Sequence, residues 1–132
     1  LASPLRQKPL MPSSPQELLA AAQTLAAASA EPLLRAAVSR AYYSAYHHGR
    51  VAVQKELPLI DALSVQGVGG SHEQLITKML TAKAPRWTGA AYRLRELKSQ
   101  RVTADYHLNS EVTQATACQA VDKAKEIFKL LA

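Results

Sequence analysis

The sequence predicts an all-α fold, an up-and-down bundle of four to five helices. Three observations predict it. Apolar residues recur at three- and four-residue spacing along most of the chain, and no segment reads as a strand. The apolar content, 48% of 132 residues, is mostly Ala and Leu, strong helix formers of which Ala lets helices approach closely. Prolines and capping residues cut the pattern into helical lengths joined by short connections. The length fits one domain. No βαβ alternation is present, which excludes a dinucleotide-binding sheet.

The first ten residues differ from the rest, with Pro4, Pro9, Arg6 and Lys8 and no periodicity. They are expected to be a loose or added tail, with Met11 as the natural start and the helical domain over 11–132. The first helix is expected from Pro15 to Ser29. Ser14 caps it, Pro15 takes the first position, Glu17 lies in the first turn, and Leu18, Leu19, Ala22, Leu25 and Ala26 form its apolar stripe. The second runs from Glu31-Pro32 to about Lys55, with Leu34, Val38, Ala41, Tyr42, Ala45 and Gly49 on one face. Pro58 is expected to close it, and 57–70 to form a loop ending in Gly67-Val68-Gly69-Gly70.

Ser71 and Gln74 have the spacing of a capping box, so the third helix is placed at His72–Thr81. Pro85 falls in the next connection. The fourth helix runs from Thr88 to Tyr106, with Ala91, Leu94, Leu97, Val102 and Asp105 or Tyr106 turned inward. The fifth follows an Asn109-Ser110 cap and runs to Leu131. Ala117, Ala120 or Val121, Ala124, Ile127 or Phe128, and Leu131 form its core face, and Cys118 is read as buried there.

Charge narrows the partners. The chain carries a net +6, and its pI is about 9.7. From Lys83 through Arg101 there are six cations, Lys83, Arg86, Arg93, Arg95, Lys98 and Arg101, against Glu96, which is five of that net six. Such a surface suits an anionic partner such as RNA, or else serves solubility. The stretch ends in Arg101-Val102-Thr103-Ala104-Asp105-Tyr106-His107, an arginine, five residues and a histidine. The one cysteine, Cys118, excludes an intrachain disulfide and suits a reducing, cytoplasmic setting. No apolar run reaches the roughly 20 residues of a membrane span, so no membrane association is expected. The four histidines and ten acids contain no His-x-x-x-His or His-Glu-x-x-His spacing, so neither a metal nor another cofactor is expected.

Three motifs stand in order along the chain. The second helix contains Arg40-Ala41-Tyr42-Tyr43, Ser71-His72 opens the third, and the fourth ends Arg101-Val102-Thr103-Ala104-Asp105-Tyr106. Over roughly Pro15 to Leu131 this combination resembles the HEPN superfamily of small prokaryotic helical bundles, in its Arg-x-x-Ala-Asp-Tyr branch. The resemblance implies a homodimer. It also implies a metal-independent endoribonuclease of the toxin type, paired with a nucleotidyltransferase-like antitoxin, in which an Arg and a His four to six residues apart act at the dimer cleft. Arg101 and His107 match that spacing, although Val102 stands where catalytic members carry a polar residue. The resemblance also admits a non-catalytic module that binds a nucleotide, nucleic acid or a partner protein.

Two readings of Arg101 and His107 remain open on the residues themselves. Six residues along a helix leave them about 120° apart and about 9 Å along the axis. They meet only if the helix ends near Tyr106 or if a second subunit completes the pair. In that case Arg101 holds a phosphate with its fork and His107 transfers protons. Otherwise Arg101 pairs with Asp105 at i,i+4 and His107 is a solvated helix end. Arg40, Tyr43 and His47 share a helix face, either as RNA contacts or as part of a polar-aromatic seam. Arg95 and Lys98 belong to the cationic stretch and are candidate substrate contacts. Asp105 is a pairing or capping group, and Tyr106 either stacks on a base or anchors the helix. His72 reads as a first-turn residue.

Overall fold

The computed structural model of the chain describes residues 13–63 and 69–132. The expected tail at 1–10, Met11, and Gly67-Val68 of the glycine-rich turn lie outside the described residues. Among the described residues there are six helices and no strand: α1 (Pro15–Ala26), α2 (Glu31–Glu56), α3 (Pro58–Asp61), α4 (Ser71–Thr81), α5 (Pro85–Tyr106) and α6 (Gln114–Leu130). The bundle forms around α2, which packs against α1, α5 and α6, while α4 lies mainly on α5.

Local chemistry explains most boundaries. The Ser14 hydroxyl accepts from the Glu17 amide at 3.1 Å, and the Glu17 carboxylate accepts from the Ser14 amide at 2.9 Å, a closed capping box. α1 then stops at Ala26, one turn before the expected Ser29. α2 is 26 residues, about 39 Å at 1.5 Å per residue, which is long enough to contact every other helix. Its expected face is buried at Leu34, Val38, Ala41, Tyr42, Ala45 and Gly49. Gly49 permits a close approach of α4: a Cβ there would lie 2.6 Å from Met79 Cε. Buried alanines of α2, α5 and α6 (Ala37, Ala41, Ala45, Ala90, Ala91, Ala117, Ala120 and Ala124) keep the helix axes close.

Several expectations are corrected. Pro58 does not simply close α2; it opens the short α3 inside the expected loop, since proline is as well suited to a first helical position as to a stop. Pro85 does the same for α5, which starts three residues before Thr88. Ser71 is the first residue of α4 and Gly70 is its cap, with no side-chain capping bond, so the expected Ser71 box is not formed. α6 begins at Gln114 behind Thr113, whose hydroxyl accepts from the Thr116 amide at 3.1 Å, and not behind Asn109-Ser110.

The phase of α5 is also corrected. Leu94, Leu97, Arg101 and Ala104 face the core, whereas Val102 is only half-buried and Asp105 and Tyr106 are exposed. Tyr106 is 71% exposed and is not an anchor. Cys118 is exposed, one position past the buried Ala117. No described helix is long and apolar enough to cross a membrane.

Candidate functional site

α2, α4 and α5 converge where the inward face of α5 carries Arg101. Its residue exposure is 8%, and its Nε has neither a hydrogen-bond partner nor solvent. The guanidinium carbon lies 5.3 Å from the Tyr42 ring centre and 5.6 Å from that of Tyr43, so the cation rests against two π faces. Asp105 Oδ2, one turn on, is 3.7 Å from Arg101 Nη1 and also accepts from the Ser39 hydroxyl at 3.4 Å. That contact is an ion pair too long for a good hydrogen bond. A desolvated guanidinium is therefore only partly satisfied.

Aromatic residues of α2 extend the cluster. Tyr42 and Tyr43 meet edge to face at 5.1 Å, and Tyr42 stacks on Tyr46, one turn away, at 6.1 Å. From the first turn of α4, the His72 ring lies 4.7 Å from that of Tyr46 and 6.1 Å from that of Tyr43. Its Nδ1 is hydrogen-bonded to the Tyr42 hydroxyl. His47 packs beside Tyr46 at 5.2 Å and Tyr43 at 6.3 Å. Lys98 Nζ donates to Glu73 Oε2 at 2.6 Å, tying α5 to the start of α4. A surface cavity of about 550 Å³ adjoins the cluster, sharing Tyr46 with it and lined also by Arg50, Ser71, Gln74 and Lys78.

Burial and charge set the protonation states. Burial raises the Tyr42 phenol far above its ordinary value, against the opposing pull of Arg101, so it stays a neutral hydroxyl. Burial lowers His72, and the Arg101 and Lys98 cations lower it further, with Glu73 opposing. His47 is lowered by burial and then by Arg50. The Lys98 hydrogen bond holds the Glu73 carboxylate below its ordinary value.

The structure brings together some of the sequence candidates. Arg101, Tyr43, His47, Lys98 and Asp105 belong to this region. Arg40 is exposed on α2. Arg95 is exposed, lies over Tyr92 at 5.8 Å and contributes to the low Glu73 value. Tyr106 projects into solvent, which leaves its ring free to stack.

α5 ends at Tyr106 and His107 caps it, its amide donating to the Thr103 carbonyl at 3.0 Å. The His107 ring is exposed, and among the described residues it is not in contact with the Arg101 guanidinium. Sequence reasoning missed His72 as a site residue, although the Ser71-His72 motif marked it. It also gave Arg35 no role. No group of three His, Cys, Asp or Glu side chains suited to a metal occurs among the described residues. Comparisons of the chain with family models, with curated proteins and with solved structures find no match.

Proposed function

We propose that this chain is a HEPN-like RNA-binding module that holds an RNA phosphate at Arg101 and cleaves the strand by guanidinium and imidazole chemistry. The observation that carries the reading is Arg101 itself. A guanidinium buried to this depth with an orphaned Nε and a 3.7 Å carboxylate is poorly satisfied on its own. A phosphate oxyanion supplies the acceptors it lacks, in a geometry that matches its fork. The adjoining tyrosine and histidine rings give bases and riboses surfaces to stack on.

His107 is the proton-transfer candidate at the exposed end of α5. Its ring makes no contact with the Arg101 guanidinium among the described residues, so in this reading it acts on a phosphate held by a second copy, as in a homodimer cleft. The second reading is a non-catalytic module that binds RNA, a nucleotide or a nucleotidyltransferase-like partner. The separation of the His107 ring from Arg101 in the single chain favours it.

A labelled single-stranded RNA incubated with the protein in EDTA separates the two. The proposal expects cleavage that Arg101→Ala and His107→Ala each abolish without loss of folding. RNA binding without cleavage leaves the binding module, and neither binding nor cleavage rejects both.

A further inference from the structure

We propose that His72 is a second acid–base group of this site, taking the 2′-hydroxyl proton of the ribose whose phosphate Arg101 holds. The inference rests on the RNA-cleavage reading above and assigns the half of the proton chemistry that a single histidine leaves open.

Cleavage of RNA by its own 2′-hydroxyl needs two proton transfers. His72 Nε2 accepts the 2′-hydroxyl proton as the O2′–phosphorus bond forms. The phosphorus–O5′ bond breaks, and protonated His107 gives its proton to the departing O5′. The products are a 2′,3′-cyclic phosphate and a 5′-hydroxyl, and exchange with water restores both imidazoles. No oxidant or co-reactant enters.

The geometry supports this role in three ways. First, His72 and Arg101 pack against the same two tyrosines. The guanidinium is 5.3 and 5.6 Å from the Tyr42 and Tyr43 rings, and the imidazole is 5.5 and 6.1 Å from them. The Arg101 cation also acts on the His72 imidazole electrostatically, and the proposal places the ribose of the bound phosphate at that imidazole. Second, His72 Nδ1 is engaged by the Tyr42 hydroxyl, while Nε2 has no hydrogen-bond partner among the described residues and is not sealed from solvent.

Third, a hydroxyl can either donate to Nδ1 or accept from Nδ1–H. With Nδ1–H donating to the Tyr42 oxygen, Nε2 presents a lone pair that takes a proton without moving the ring. Burial keeps Tyr42 a neutral hydroxyl, whose oxygen can accept that hydrogen bond.

The groups facing His72 are Tyr42, Tyr43, Tyr46 and His47 from α2, Lys98 and Arg101 from α5, and Glu73 beside it on α4. Burial first, and then the Arg101 and Lys98 cations against the single Glu73 carboxylate, hold the imidazole below its ordinary value, so it is neutral at neutral pH and available as a base.

The test uses the full chain in EDTA with a dinucleotide carrying one scissile bond, across a pH series. Wild type is expected to lose rate on the acid side, in a limb set by protonation of His72. His72→Gln is expected to lose about 10²–10⁴-fold in kcat, with KM little changed and the acid limb gone. His107→Gln is expected to lose rate while keeping the acid limb. Tyr42→Phe is expected to displace the acid limb while retaining part of the rate.

A wild-type measurement guards against misfolded variants. The His72 ring C–H resonance in NMR is expected to titrate at higher pH with uridine 3′-monophosphate present, because an anion beside the imidazole favours its cation. Cleavage by wild type with an unchanged acid limb in folded His72→Gln overturns the inference and leaves the RNA reading standing. So does a His72 titration indifferent to the nucleotide. A wild type that never cuts RNA overturns both.

Discussion

The guanidinium of Arg35 on α2 closes the end of α5, donating from Nη1 to the Ala104 carbonyl at 2.9 Å. It also donates to the carbonyls of His107, at 3.2 Å, and Ser110, while its Nε donates to Glu31 at 2.9 Å. Glu31 in turn accepts from the Val112 amide at 2.9 Å. One ion pair at the start of α2 thus satisfies the carbonyls left over at a helix end and fixes the 107–112 turn that carries His107.

Arg35→Met removes those donors while keeping the apolar stem. It is expected to destabilise the fold by about 1–2 kcal/mol, because the part-buried Thr103 and Ala104 carbonyls lose a charged partner. Arg35→Lys is expected to restore little, since a single ammonium cannot span the fork. Urea unfolding measures the loss. Amide exchange is expected to accelerate first at residues 107–113, and unchanged protection there contradicts the role.

Acid is expected to weaken the fold from near pH 6.5 downward. His47, His48 and His72 all lie below the ordinary value of 6.5, each first because burial disfavours the cation. Below 6.5 the unfolded chain therefore binds protons that the fold refuses, so stability is full above that pH and falls as pH drops through it. Glu31 and Glu73 lie below their ordinary 4.5, so their contribution holds until the pH falls beneath 4.5. Urea midpoints measured on either side of pH 6.5 check the sign, and a midpoint that rises on acidification contradicts it.

Lys83 occupies left-handed backbone with φ of 53° just past the end of α4, where glycine is the favoured residue. Lys83→Gly is expected to stabilise the protein by about 0.5–1 kcal/mol, read as a higher melting temperature.

Cys118 is exposed on α6. It is expected to react fully with a disulfide reagent in the native protein, without denaturant. Reaction only after unfolding contradicts the placement.

The fold was largely legible because its signals are local. The Ser14–Glu17 box and the regular face from Leu34 to Gly49 need only neighbours in sequence. The failures share a different cause. Pattern reading turns Val102 and Asp105 or Tyr106 inward and leaves Arg101 on the cationic face. Arg101 in fact holds the inward position between Leu97 and Ala104, made tolerable by tyrosines from α2. The α6 start was misplaced because Arg35, distant in sequence, satisfies the Ser110 carbonyl and the chain runs on to Thr113.

The site was half legible. The basic stretch and the motif spacing pointed to Arg101, but His72 acquires its setting only when α4 lies against α2 and α5.

The most direct measurement is the affinity of a fluorescent single-stranded RNA for wild type and for Arg101→Met at matched low salt. Arg101→Met keeps the apolar stem but takes the cation from Asp105 and from the Tyr42 and Tyr43 rings, so urea unfolding first establishes that the variant is folded. The account predicts RNA binding at least about tenfold weaker in the variant, with a shallower salt dependence. Equal affinities in two folded proteins, or a wild type that does not bind RNA, would contradict it.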